Sequence, residues 1–375
     1  MSVHDSLTLQ PFRIAVPDEA LTDLDVRLAR TRFPNEIEGI GWDQGTPLAY
    51  LDELVTYWRD GYEWRAHEAR LNAYEQFTTD VDGQRVHFLH VRSPHEGATP
   101  LVLSHGWPGS IVEFLDVIGP LTDPPDPADA FHLVVPSLPG YGFSGPTSQR
   151  GWTPRRIADA LGQVVDRLGY DRYGVQGGDW GSFISCNMAD LRPDRVIGLH
   201  LNFLTVPPPK GEARPEHAPR ARFEATGAGY REIQGTKPQT IGYLLDDSPA
   251  GLAGWIVEKF REWSDCDGDV ERSFTKDQLL TNVMVYWVTR TATSAARLYW
   301  EMRQAGKDTL PQAPVTVPTG VANFPKEMGR SDRAHAERRY NIVHWTEPAR
   351  GGHFAAMEVP DLFVDDVRTF FRGLA

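Results

Sequence analysis

The sequence YGVQGGDWGSFISCNMADL occupies residues 173–191. Residues 173–176 predict a short strand, and residues 182–191 predict a helix. The Gly-Gly-Asp-Trp-Gly stretch between them, residues 177–181, is typical of a sharp turn, because a side chain on a flanking residue would clash there. The helix that follows directs the positive end of its dipole at the turn and favours negative charge. The stretch therefore predicts a strained turn with the carboxylate of Asp179 at its apex.

This turn matches the pattern Gly-x-nucleophile-x-Gly, the nucleophile elbow of α/β hydrolases. The nucleophile position holds Asp179 where a serine is common. A serine that attacks a saturated carbon leaves an ether, which water does not readily hydrolyse, whereas a carboxylate leaves an ester whose carbonyl water can attack. The motif thus favours substitution at saturated carbon, as in epoxides or haloalkanes. The alternative is a surface turn in which Asp179 caps a helix.

Strands and helices alternate on both sides of this turn. That alternation predicts right-handed crossovers and a mostly parallel central sheet, an α/β class of fold. The other predicted core strands cover residues 101–103, 131–135, 196–203, 315–321 and 340–344. The other predicted core helices cover residues 111–118, 153–168 and 361–371.

The pattern divides the chain into four parts. Residues 1–94 predict an N-terminal segment of amphipathic helices and one β-hairpin. Residues 95–205 are the first part of the α/β core. At the proline-rich stretch 206–210 the buried strands stop, so residues 206–306 predict an inserted helical cap, and residues 307–375 complete the core.

A histidine and an acid complete the predicted catalytic set, since α/β hydrolases order their residues as nucleophile, acid, then histidine. His353 follows two glycines near the C-terminus, and Glu327 follows the predicted strand 315–321. We expect His353 to take a proton from water and Glu327 to hold its imidazole in the right tautomer. Asp332 and Glu347 are competing candidates for the acid.

The sequence His-Gly-Trp-Pro at residues 105–108 follows the first clearly buried core strand. In α/β hydrolases the oxyanion hole uses one N–H after the nucleophile and one from an early strand-to-helix loop. We expect the backbones of Trp180 and Trp107 to supply these two donors. The alternative is a tight connection in which Gly106 serves geometry only. His105 is expected to be structural.

Composition limits the remaining function classes. The 375 residues carry a formal net charge of −13 with no block of Lys and Arg, which argues against a nucleic-acid surface. Two cysteines, Cys186 and Cys266, are typical of a reducing cytosol, and Cys186 is expected in the core. No signal peptide or membrane span is apparent, so we expect a cytoplasmic protein. Metal-binding and nucleotide-binding motifs are absent, so we expect no metal and no cofactor.

With these residues in place, the chain resembles the microsomal-type epoxide hydrolases over nearly its whole length. The matching stretches are residues 105–110, 137–144, 177–181, 281–287 and 350–355. The resemblance implies that residues 11–94 wrap the core and lean on the cap. We expect no N-terminal anchor of the kind that the membrane-bound mammalian branch carries. The chain is similar to soluble bacterial enzymes of enediyne antibiotic biosynthesis.

The same family protonates the leaving oxygen with two cap tyrosines. Residues 229–234 and 297–299 are similar to those two sites, which implies roles for Tyr230 and Tyr299. A phenol is chemically suitable because its ordinary pKa, about 10, leaves it protonated at neutral pH. Without the resemblance, Tyr243 and Tyr286 would be equal candidates.

The sequence therefore predicts hydrolysis of a hydrophobic, aryl-type epoxide to a vicinal diol through an aspartyl ester, in biosynthesis or detoxification. Phe183, Trp255 and Trp287 are predicted to bind substrate, with Trp180 and Trp263 as further candidates. The predicted partner is the small-molecule epoxide, with no nucleic acid or membrane, and a homodimer is the default. The rival hypotheses are a haloalkane dehalogenase and a non-catalytic binding protein on the same fold.

Overall fold

The computed structural model describes residues 8–207, 211–212 and 217–374. Residues 1–7 of the predicted N-terminal segment and residues 208–210 of the proline-rich stretch lie outside the described residues. Within the described ranges, nine strands form one sheet: β1 Gln10–Phe12, β2 Gln76–Val81, β3 Gln84–Val91, β4 Thr99–Ser104, β5 Phe131–Pro136, β6 Tyr173–Gly177, β7 Val196–Leu201, β8 Val315–Ala322 and β9 Tyr340–Thr346.

The sheet has the order β1-β2-β3-β5-β4-β6-β7-β8-β9. The pairs from β5 through β9 are parallel, whereas β1, β2, β3 and β5 pair with one another antiparallel. The prediction of a mostly parallel sheet is therefore confirmed. Because parallel strands end at the same edge, the loops after β4, β6 and β8 meet there, as in other open α/β sheets.

Fifteen α-helices accompany the sheet in the described residues. They are α1 Asp18–Ala29, α2 Leu48–Asp60, α3 Trp64–Leu71, α4 Ile118–Thr122, α5 Pro154–Arg167, α6 Asp179–Leu191, α7 Ala218–Arg222, α8 Gly229–Thr236, α9 Pro238–Leu245, α10 Pro249–Trp263, α11 Lys276–Thr289, α12 Ala292–Ala305, α13 Arg333–Ala336, α14 Ala355–Glu358 and α15 Pro360–Arg372. Helix α15 packs on β7 and β8, and α6 packs on β4, β6 and β7.

Six helices, α7 to α12, lie between β7 and β8, and the described part of this insertion contains no strand. A π-helical turn, Phe223–Gly227, joins α7 to α8. Such turns are rare and recur at functional sites.

The N-terminal helices lean on this helical insertion. The Tyr57 hydroxyl donates to Asp277 Oδ1 at 2.7 Å, and Arg27 Nη1 lies 2.9 Å from Asp247 Oδ1. The Tyr62 hydroxyl lies 3.0 Å from Thr281 Oγ1. The N-terminal segment therefore braces the insertion against the core.

The prediction of one continuous helix over residues 111–118 is wrong. The chain makes a 3₁₀ turn at Ile111–Phe114, capped by the Ser110 hydroxyl, and a separate short helix, α4. Pro120 lies in the first turn of α4, where its fixed backbone angle suits a helix start. Two short segments therefore replace the one helix.

Across the described ranges, no helix has both the length and the apolar character needed to cross a bilayer.

Candidate active site

The turn after β6 has the strain that its glycines predict. Asp179 adopts φ of +46°, in the left-handed region, and α6 begins at this residue, three positions earlier than expected. A Cβ on Gly177 would lie 2.2 Å from the Gly181 carbonyl oxygen, and a Cβ on Gly181 would lie 1.9 Å from the Ser104 carbonyl oxygen. Glycine is therefore required on both sides of Asp179.

A half-buried carboxylate, a buried histidine and a buried glutamate contact one another above the sheet edge. His353 Nε2 lies 3.3 Å from Asp179 Oδ2, and His353 Nδ1 lies 2.7 Å from Glu327 Oε2. The second oxygen of Glu327 accepts the backbone N–H of Gly329 at 2.8 Å. Glu327 is 1% exposed, so its carboxylate is held in one orientation toward the imidazole. The structure thus brings together the three residues predicted as nucleophile, base and acid.

The two competing acids lie elsewhere. Asp332 accepts the backbone N–H of Ala334 at 2.9 Å and caps α13. Glu347 is 65% exposed and pairs with Arg330 at 3.2 Å. Glu327 is therefore the candidate that contacts His353.

Two carboxylates set the charge of His353. Burial opposes its protonated form, but the negative charge of Glu327, together with hydrogen bonding and charge from Asp179, outweighs burial and raises the pKa of His353 well above its ordinary value. The imidazolium is therefore favoured while both carboxylates are ionised.

The loop after β4 approaches the nucleophile through its backbone. The Trp107 N–H donates to Asp179 Oδ1 at 2.8 Å, which places one predicted oxyanion donor at the carboxylate. The other predicted donor belongs to Trp180, in the first turn of α6, where helical N–H groups have no partner within the helix. His105 Nε2 accepts from the Leu138 N–H at 3.4 Å, and burial lowers the pKa of His105 to about 4. A neutral, structural His105 is as expected.

Helix α11 holds this loop in place. Asn282 Nδ2 donates to the Pro108 carbonyl at 2.8 Å, and one turn later the Tyr286 hydroxyl donates to the Gly109 carbonyl at 2.6 Å. The Tyr286 hydroxyl is thus bonded to the loop backbone, while Tyr243 is 68% exposed on the surface. Neither of these tyrosines lines the cavity that has Asp179 in its wall.

Tyr230 on α8 and Tyr299 on α12 face Asp179 across the cavity. Their ring centroids are 5.7 Å apart, with the two ring planes at 82° to each other. The Trp107 ring stacks on Tyr230 at 4.9 Å, and Trp180 meets Tyr299 edge-on at 4.8 Å. Burial and the nearby charge of Asp179 raise the pKa of both phenols, so both stay protonated.

A cavity of about 470 Å³ lies between the sheet edge and the helical insertion, with Asp179 in its wall. Phe183 lines it, as predicted, whereas Trp255 and Trp287 are not among its lining residues. Trp255 donates to Gln234 at 3.3 Å, and Trp287 lies under the Arg27 guanidinium. Aromatic and thioether side chains that line the cavity are Trp180, Phe183, Phe203, Phe223, Tyr230, Tyr299, Met302 and Met328.

One carboxylate beside the nucleophile was not predicted. Burial, reinforced by the charge of Asp179, raises the pKa of Glu113 to about 8. A Cβ on Gly109 would lie 1.5 Å from Glu113 Oε1, so the carboxylate occupies space that only glycine leaves open. No local pattern around residue 113 indicates that its carboxylate lies beside the nucleophile, because this placement depends on how the loop folds back.

Replacing Gly106 by Ala is expected to lower catalytic turnover by roughly 100-fold or more, because misplacing a reacting group by about 1 Å has that effect. The new Cβ would lie 2.1 Å from Asp179 Oδ1 and must displace the carboxylate. Steady-state kinetics on an epoxide substrate measures the loss. Gly119→Ala is the control, since nothing lies within 4 Å of its Cβ. Equal activity in both variants would show that the close approach is unimportant.

Comparison with known proteins agrees with this geometry. Residues 9–114 match the family model "Epoxide hydrolase N terminus", and residues 99–243 match "alpha/beta hydrolase fold". A Stigmatella aurantiaca protein named as a candidate epoxide hydrolase is 47% identical over 98% of this chain and 85% of its own length. Epoxide hydrolase 1 of Sus scrofa is 36% identical over 97% of this chain and 88% of its own length.

A crystal structure of juvenile hormone epoxide hydrolase from the silkworm Bombyx mori superposes with a TM-score of 0.89 and 32% identity, covering 98% of this chain and 95% of that one. The chain therefore belongs to the microsomal-type epoxide hydrolases, hydrolases of the α/β-hydrolase fold that act on ether bonds.

Proposed function

We propose that this enzyme converts a hydrophobic epoxide to a vicinal diol through a covalent ester of Asp179. The observation that carries the proposal is the contact of His353 Nε2 with Asp179 Oδ2 at 3.3 Å, while Trp107 N–H binds the other carboxylate oxygen at 2.8 Å. Oδ2, the oxygen that the Trp107 N–H does not hold, is the one that attacks, and the base is positioned beside the ester that forms. A carboxylate nucleophile, phenolic acids and an imidazole base suffice for this reaction, so we propose that it needs no cofactor.

In the first step Asp179 attacks a ring carbon, the carbon–oxygen bond of the epoxide breaks, and a phenol gives its proton to the departing oxygen. Tyr230 and Tyr299 supply that acid. An alkoxide is a poor leaving group, so this proton transfer is needed near neutral pH. The raised pKa of both phenols ensures that they carry a proton.

In the second step His353 activates water for attack on the ester carbonyl. Ester formation removes the charge of Asp179, one of the influences that raises the pKa of His353, so the neutral imidazole becomes more favoured. The backbone N–H groups of Trp107 and Trp180 would stabilise the tetrahedral oxyanion. Glu327 keeps the Nδ1 proton in place and offsets the imidazolium that forms.

The cavity wall supports an aryl-type substrate. A volume of about 470 Å³ lies in the range of small-molecule sites, and aromatic side chains such as Phe183, Phe203 and Phe223 offer stacking surfaces. We further propose a cytoplasmic homodimer. For its physiological task we propose natural-product biosynthesis or detoxification, for which the sequence resemblance is the support.

Haloalkane dehalogenation is the second candidate, because Trp180 Nε1 is buried and has no hydrogen-bond partner among the described residues. An indole N–H can stabilise a leaving halide, which needs no proton. The double variant Tyr230→Phe, Tyr299→Phe should therefore lower epoxide opening by about 10²- to 10⁴-fold and spare halide release. Parallel assays of diol and halide formation measure both activities. Epoxide turnover at the wild-type rate would rule out the assigned tyrosines.

A further inference from the structure

Helix α10 buries a lysine beside one of the two phenols. Lys259 is 4% exposed, and its Nζ lies over the ring of Tyr230, 5.1 Å from the centroid. Burying an ammonium group is costly unless it is paired. Its ion-pair partner is the neighbouring Glu258, whose side chain is 20% exposed. The steps described so far do not use this cation.

Tyr230 otherwise faces mostly anionic or neutral groups. The titratable groups whose charge shifts the pKa of Tyr230, or whose own pKa responds to Tyr230, are Asp179, Tyr299, Arg231, Glu327 and Tyr141. Arg231 is its neighbour on α8, and its side chain is 52% exposed, so solvent screens that charge. Lys259 is thus the buried cation close to the phenol ring.

We propose that Lys259 is a positioning residue for ring opening, one that fixes the Tyr230 ring and stabilises the negative charge that grows on it. The inference rests on the proposed function. As the Tyr230 O–H bond breaks, its proton passes to the epoxide oxygen while Asp179 forms the ester, and the phenol becomes a phenolate. In the hydrolysis, one proton of water goes to the alcohol oxygen that is released as the ester C–O bond breaks. The other returns, by way of His353, to the phenolate. Asp179, the imidazole and the phenol are thereby restored, and the cycle balances as epoxide plus water giving diol.

Lys259 can speed ring opening because its attraction to the Tyr230 ring grows as the ring becomes negatively charged. A cation attracts a neutral ring only through its quadrupole, but it attracts a phenolate through a full charge. The interaction is therefore stronger in the transition state than in the ground state, which is the condition for acceleration. The later hydrolysis of the ester involves His353 and water, so it should not depend on Lys259.

Pre-steady-state kinetics on an aryl epoxide such as styrene oxide separates the two steps. Lys259→Met is expected to slow ester formation by about 10- to 100-fold, and to change ester hydrolysis by less than about 2-fold. Lys259→Arg restores the charge and should recover ester formation to within about 5-fold of wild type. The control Lys276→Met removes another ammonium over a tyrosine ring, 5.8 Å from the Tyr57 centroid and outside the cavity, and should have no effect.

Two further variants separate an electrostatic effect from a structural one. In a Tyr230→Phe background the Lys259→Met change should lose its effect on ester formation. Glu258→Gln removes the negative charge paired with Lys259 and should leave ester formation unchanged or faster. This variant therefore tests whether positive charge near Tyr230 speeds ester formation, even if Lys259→Met folds poorly. Slowing by Glu258→Gln, or an undiminished effect of Lys259→Met without the Tyr230 hydroxyl, would overturn the proposal.

Different results would contradict the proposed function and the proposed role of Lys259. A wild-type enzyme that hydrolyses epoxide without an Asp179 ester would overturn the proposed function and the lysine inference together. A wild-type enzyme that forms the ester, with Lys259→Met forming it equally fast, would overturn the lysine inference alone.

Discussion

Replacing Asp179 with Ala is expected to lower diol formation on the order of 10⁴-fold or more, the scale at which removal of a catalytic nucleophile acts. The reason is that no other described carboxylate contacts His353 from the cavity side, and Trp107 holds this one in position at 2.8 Å. Initial rates with a panel of aryl and alkyl epoxides measure the loss. Asp171→Ala, at a carboxylate fully exposed to solvent, is the control and should keep wild-type activity.

An oxygen-18 experiment tests the covalent step directly. With enzyme in excess over substrate in H₂¹⁸O, the first diol should carry an unlabelled oxygen from Asp179, because water attacks the ester carbonyl and not the substrate carbon. Mass spectrometry of the diol measures this. Label in the first diol would mean direct attack by water and would contradict the ester mechanism.

Replacing His353 with Gln is expected to stop the reaction after ring opening. The variant keeps Asp179 and both phenols but has no base for water, so it should accumulate one ester per chain, with diol release slowed by about 10²- to 10⁴-fold. Intact-protein mass spectrometry should show a gain equal to the mass of the substrate, and peptide mapping should place it on Asp179.

His200→Gln is a matched control for this variant. His200 is also fully buried and contacts a carboxylate, Asp366 Oδ1, at 2.9 Å, but it lies beneath α15 and away from the cavity. The His200→Gln variant should lower the free energy of unfolding, as His353→Gln does, but it should not accumulate an ester. If His353→Gln releases no diol and yet accumulates no ester, then His353 is needed for ring opening and not for hydrolysis of the ester. His200→Gln should likewise show no ester.

Much of the site could be predicted because its signals are local. The Asp179 turn needs glycines at fixed positions, and those positions are visible in the sequence. The resemblance located Tyr230 and Tyr299, which the structure places together across from Asp179.

Other features could not be predicted, because they depend on elements that are distant in the chain. Trp255 and Trp287 have suitable composition for a substrate wall, but the packing of the insertion turns them elsewhere. Glu113 and Lys259 carried no sequence signal, since each gains its surroundings from a separate segment.

The sequence by itself predicted the type of chemistry, because a carboxylate on a glycine-flanked turn between strand and helix is a local pattern that favours substitution at saturated carbon. Tertiary structure decided which acid serves the histidine. Glu327, Asp332 and Glu347 all follow β8, and only the course of the chain between β8 and β9 brings Glu327 within 2.7 Å of His353. Local sequence constrains backbone conformation over a few residues, whereas contacts between distant segments are fixed by packing of the whole core.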